Sequence, residues 1–135
     1  MRHKRIAAVA IMAVVLTACS SKPAESSETE CHDVAKGRNC LTVAHTKGSD
    51  RYRVTETWVY KPDAPVVDGL PPVHRSEWVA VIDCETRASQ LEAARFWDAQ
   101  DREVSLGAAG DADVRRTLTA SSLPPILTAL CDSTN

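Results

Sequence analysis

The chain has 135 residues, a formal net charge of −2 at neutral pH and only three Trp, two Tyr and one Phe. That length suffices for one domain with a modest core, burying roughly two-thirds of its unfolded surface. The acidic balance, with no basic stripe beyond the first five residues, excludes nucleic acid and anionic membrane surfaces as expected partners.

The chain opens with Arg2, His3, Lys4 and Arg5, followed by an uncharged apolar run from Ile6 to Leu16. A basic start before a short apolar run is the secretory pattern, and this run is too short to span a bilayer. It ends Leu16-Thr17-Ala18-Cys19, which resembles the lipobox of bacterial lipoproteins. The resemblance implies that residues 1–18 are removed and that the Cys19 sulfur carries a diacylglyceryl group. Attachment to the membrane then rests on lipid, where two or more acyl chains hold firmly at about 0.8 kcal/mol per buried methylene. In Gram-negative lipoproteins an aspartate directly after the lipidated cysteine favours the inner membrane. Ser20 stands there in this chain, so the same resemblance implies the outer membrane, on its periplasmic or its surface side. Loss of Arg2, Lys4 and Arg5 with the signal segment takes the net charge from −2 to −5.

Ser20 to Glu30 is rich in serine and glutamate and nearly devoid of apolar residues. Such a segment buries too little to offset its ordering entropy, so residues 19–30 are expected to be a flexible tether and 31–135 a single domain. Four cysteines remain, Cys31, Cys40, Cys84 and Cys131. An even count in an exported domain reads as two disulfides with three connectivities open. The expected pairing is Cys31–Cys40, closing a short polar loop, and Cys84–Cys131, tying the middle of the domain to its end.

Folded structure is expected to begin near Cys40, with strand character at Leu41 and Val43. From Arg51 to Lys61, Tyr52, Val54, Glu56, Trp58 and Tyr60 share one face, while Arg51, Arg53, Thr55, Thr57 and Lys61 share the other. This period-two pattern predicts a half-buried strand in which Glu56 is the imperfection. Pro62, Pro65, Pro71, Pro72 and Gly69 predict a loop from Lys61 to His74. Ser76 to Cys84 is apolar on both faces and is the expected central strand. Arg87 to Asp98 admits two readings, a short helix opened by Ser89-x-x-Glu92 or a returning antiparallel strand. A turn is expected at 98–101, a short strand from Glu103 to Leu106, a flexible loop around Gly107 and Gly110, and a final strand from Arg115 to Ala120. Ser122 followed by Pro124 and Pro125 predicts the start of a short helix with Ile126, Leu127, Leu130 and Cys131 on its apolar face.

Arg75-Ser76, Val81-Ile82-Asp83-Cys84-Glu85-Thr86-Arg87, Phe96-Trp97-Asp98 and the stretch from Ala120-Ser121-Ser122 to Leu130-Cys131 resemble the surface-adhesin protein E family. Its members are small exported or lipid-anchored proteins of Gram-negative bacteria, and the resemblance covers roughly Arg51 to Cys131. It implies an antiparallel sheet backed by a C-terminal helix, with a strand cysteine bonded to a helix cysteine. The chain departs from the family pattern at Asp101, where a glycine is usual, and at Ala120-Ser121-Ser122, where Pro-Gly-Ser is usual. The Cys31–Cys40 loop has no counterpart in the pattern, and no binding residue is carried over.

For chemistry, Cys31, His32, Cys40 and His45 are residue types that bind zinc. In an oxidising compartment a disulfide with two solvent-facing histidines is expected instead, with no metal and no cofactor. Gly-x-Ser-x-Gly, phosphate-loop and His-Glu-x-x-His motifs are missing from the sequence, and catalysis is not expected. Asp83 and Asp98 are weighed as paired carboxylates, with a strand end and a turn as their expected places. Trp58, Trp78 and Trp97 are weighed as a strip for sugars or peptides, against filling a core short of aromatics. The fold class expected is α+β, mostly β: a small antiparallel sheet backed by a short C-terminal helix and stabilised by disulfides. The expected function is a lipid-anchored, non-enzymatic binding domain, adhesin-like toward a protein ligand. The alternative is a structural or accessory periplasmic lipoprotein whose sheet edge pairs with itself, as a homodimer, or with a partner.

Overall fold

A computed structural model describes residues 25–63 and 71–133. The signal segment, Cys19, residues 19–24 of the expected tether and residues 64–70 of the proline-rich loop lie outside the described residues. Five strands, β1 (Glu25–Val34), β2 (Gly37–Thr46), β3 (Arg51–Tyr60), β4 (Arg75–Asp83) and β5 (Ala88–Trp97), form one antiparallel sheet in sequence order. A continuous 26-residue helix follows, made of α1 (Gly107–Thr117), a π-helical turn (Leu118–Ser122) and α2 (Leu123–Asp132). The architecture is the expected α+β sheet with a C-terminal helix, but the helix is long.

β3 and β4 follow the period-two reading. Ser76, Trp78, Ala80 and Ile82 of β4 are buried on the helix side, with Val54 of β3 beside them. β4 is an inner strand and carries most of the core, although β3 sits at the middle of the sheet. Leu123 and Cys131 complete the buried cluster from the helix, and Leu118, Ile126, Leu127 and Leu130 pack around it. Glu56 finds neutral donors on this apolar face. The Trp78 indole N–H donates to one carboxylate oxygen and the Asn39 amide donates to the other at 2.8 Å. A polar group on a mostly buried face is tolerable when its oxygens are satisfied in this way.

The ambiguity over 87–98 resolves as a strand with a bulge. The β4–β5 register slips between Val79 and Ala80, so that Trp78 faces Ala94 and Ala80 faces Leu91. Leu91 and Ala94 both pack on the core although they are three residues apart. A bulge inserts one extra residue and so turns a strand's period of two into a local spacing of three. That spacing is what imitates a helix in the sequence, and the Ser89-x-x-Glu92 capping box is not formed.

Several other expectations are corrected. Residues 25–30, read as tether, form the first part of β1 and pair with β2, so folded structure begins well before Cys40. Backbone pairing and a disulfide order this segment without the burial its composition lacks. The expected strand from Glu103 to Leu106 reduces to one bridge, between Glu103 and Trp97. The loop around Gly107 and Gly110 and the strand from Arg115 to Ala120 are both helix. Ala108, Ala109 and Ala112 are strong helix formers, and joining α2 removes the cost of a separate nucleus. Ser122 caps nothing, because the chain is already helical there. Pro124 and Pro125 cannot donate to the preceding turn and their rings crowd its carbonyls. The π-helical turn immediately before them widens the helix there, and the Leu123 N–H reaches back to the Leu118 carbonyl.

Candidate functional site

Both disulfides have the expected pairing. Cys84–Cys131 joins the turn after β4 to the last turn of α2, where Arg87 also meets Asp132 at 2.8 Å. Cys31–Cys40 is a cross-strand bond between directly opposed residues of β1 and β2, with Cα atoms 4.1 Å apart, and it does not close an irregular loop. Two disulfides in one small domain indicate an oxidising, extracytoplasmic setting. Among the described residues no helix is long and apolar enough to cross a membrane.

The hairpin that carries Cys31–Cys40 turns through Ala35 and Lys36. Gly37 opens β2 at φ +152°, and a Cβ there would meet the Val59 carbonyl oxygen at 2.1 Å. Only glycine lets the hairpin close on β3, where the Lys61 N–H also donates to the Lys36 carbonyl at 2.9 Å. Every residue of β1 is exposed. Its side-chain links are polar: Thr29 to Thr42 at 2.9 Å, Ser26 to the His45 carbonyl at 3.4 Å, and Asp33 to Arg38 at 3.9 Å. β1 adds nothing to the buried cluster, and among the described residues its outer edge faces no other strand.

The opposite edge is shielded. The Val104 N–H donates to the Phe96 carbonyl at 2.9 Å, Glu103 bridges Trp97, and β5 carries the bulge. A groove of about 400 Å³ runs beside it, lined by Phe96, Arg95, Glu103, Ser105 and Asp111 among others. Arg95 and Glu103 close on each other at 2.8 Å, and hydrogen bonding to Arg95 draws the Glu103 carboxyl below its ordinary range. The Ser105 hydroxyl accepts from the Gly107 N–H at 3.1 Å. Of the two carboxylates in the lining, Glu103 is held by Arg95.

The sheet face away from the helix carries ion pairs beside the half-buried Val79 and Val81. Arg51 pairs with Asp83, Arg53 with Glu92 and Arg75 with Asp101, at 3.2, 2.8 and 2.8 Å. Trp97 lies on this face under Arg75, whose guanidinium stands 3.6 Å from the ring centroid. Trp58 and Trp78 lie on the helix side, Trp58 stacked on Tyr60 at 5.8 Å and reached by Lys36, Trp78 in the core. The three tryptophans therefore form no common strip.

Asp83 ends β4 and Asp98 lies in the turn after β5, the strand end and the turn expected for them. Asp83 accepts from the Thr86 and Glu85 N–H groups and pairs with Arg51, which together hold its pKa below the usual value. Asp98 accepts from the Arg102 and Gln100 N–H groups and from the Arg102 side chain, with the same effect. Within that turn Asp101 adopts φ +59°, a left-handed conformation that suits glycine. Cys31 and Cys40 are spent on each other, His32 sits on the opposite face of β1 beside Glu30, and His45 stacks on Tyr52. These four residues are not gathered around one point, and the described residues contain no cluster of three or more metal-binding side chains.

No protein family, curated protein or solved structure matches the chain.

Proposed function

We propose that this is an exported lipoprotein, held on a bacterial outer membrane by lipid on Cys19, whose domain is a non-enzymatic binding module for a protein ligand, adhesin-like in mode. The observation that carries the reading is the form of β1. A ten-residue strand that buries no side chain is nonetheless kept in the sheet by a disulfide. Order maintained at a surface without benefit to the core is what a recognition surface requires, since a preformed surface loses less entropy on binding. The ion pairs across the sheet face away from the helix fit a surface that meets another protein.

The same free edge also favours the second reading, a structural or accessory periplasmic lipoprotein working through protein–protein contacts. Both readings need the anchor. Expressed in a Gram-negative host, the full chain is expected to incorporate labelled fatty acid and to fractionate with membranes. Cys19→Ser should abolish the label and release the protein to the soluble fraction. Membrane association without label, or label that survives Cys19→Ser, would remove the lipoprotein reading.

A further inference from the structure

Building on the reading of the domain as a binding module, we propose that the binding surface is the outer edge of β1, and that it takes an extended, basic segment of a partner protein as a sixth strand. In an edge strand, alternate residues turn their N–H and C=O groups away from the sheet, which makes a template for another strand. β1 offers such a template over ten residues with no proline, while the edge of β5 is bulged and shielded by residues 103–104. Backbone pairing of this kind supplies affinity, and side chains on the two faces supply selectivity.

The charge of β1 selects the partner. Glu25, Glu28, Glu30 and Asp33 lie along it, with His32 as its one basic side chain. Glu25 and Glu28 take part in no ion pair among the described residues, and the Asp33–Arg38 pair is long at 3.9 Å. A second copy of the chain would lay four carboxylates along another four, and charge on an edge is a recognised device against self-pairing. Glu28 and Glu30 share one face of β1 and Glu25 and Asp33 the other, so a strand bearing lysine or arginine at alternate positions would meet one of these two pairs, and opposite charges placed across a strand pair attract. The disulfide has a place in the same account. β1 has no apolar side chains in the core to hold it flat, so Cys31–Cys40 and the turn at Ala35–Lys36 fix the template before the partner arrives.

The test uses the full chain, purified in detergent, and three capped ten-residue peptides. One alternates lysine with valine, one alternates glutamate with valine, and the third is the lysine peptide N-methylated at alternate residues. The lysine peptide should bind and slow amide exchange across Glu25–Val34 while leaving Ala88–Trp97 unchanged. The glutamate peptide should not bind, and N-methylation should weaken binding at least about tenfold by removing backbone donors. Glu28→Lys with Glu30→Lys should weaken it similarly, as should Cys31→Ser with Cys40→Ser in protein whose circular dichroism is unchanged. Equal binding of the N-methylated peptide, protection outside β1, no binding of the lysine peptide, or dimerisation through β1 without peptide would overturn the proposal. The peptide series on the unmodified chain decides the matter even where a variant fails to fold. Failure here with lipid still found on Cys19 leaves the anchored reading standing. Peptide binding without lipid leaves only the edge.

Discussion

Replacing Cys84 and Cys131 together by serine is expected to lower the stability of the domain by about 2–5 kcal/mol. The bond spans a sequence separation of 47, and a loop of that length corresponds to about 4 kcal/mol in the chain-entropy account of disulfides. Its position adds to the effect. It fastens the turn after β4 to the last turn of α2, and Cys131 is itself part of the buried cluster. Without it, α2 is held to the sheet by side-chain packing and by the exposed Arg87–Asp132 pair, a kind of contact worth at most about 1 kcal/mol. Removing Cys31–Cys40 should cost less, because that bond spans a separation of only 9 and secures a strand with no buried side chain. Thermal unfolding of both double variants without reductant makes the comparison, and equal losses would contradict this division of labour.

Leu123→Ala is expected to cost about 2–5 kcal/mol, the range for removing a fully buried leucine side chain from a close-packed core. Leu123 is 0% exposed and sits directly after the π-helical turn, where the helix meets Val54, Trp78, Ala80 and Ile82. The next two residues, Pro124 and Pro125, are exposed, so Leu123 is the fully buried residue of this turn, with Ile126 packed beside it. Denaturant titration should show a lower midpoint with an unchanged slope, the signature of lost stability without altered compactness. A midpoint within error of the unmodified protein would show that the helix start is not part of the core.

The strands that alternate cleanly were legible in the sequence, whereas Leu123, Leu91 and Ala94 of the core were not. β3 and β4 alternate cleanly, and even the imperfection at Glu56 has a cause, because the Trp78 indole lies across from it to donate. The apolar spacing of Ile126, Leu127, Leu130 and Cys131 placed α2. What escaped reading was held by other means. β1 is ordered by backbone pairing and Cys31–Cys40, neither of which leaves an apolar pattern. β5 is a strand whose bulge gives Leu91 and Ala94 a helical spacing. α1 has no buried residue at all, so its glycines and aspartates resembled a loop while its alanines and its fusion to α2 decided the matter. The candidate site was half visible: its cysteines stood out, but the free edge they stabilise is a property of strand order, which a single sequence does not display.

Protease treatment of intact cells, followed by immunoblotting for the domain and for a periplasmic control, tests the central functional claim most directly. A binding module displayed outward should be cut while the control survives. Protection on intact cells, with cleavage only after the outer membrane is broken, would contradict an adhesin-like role and leave the partner of the β1 edge to be sought in the periplasm.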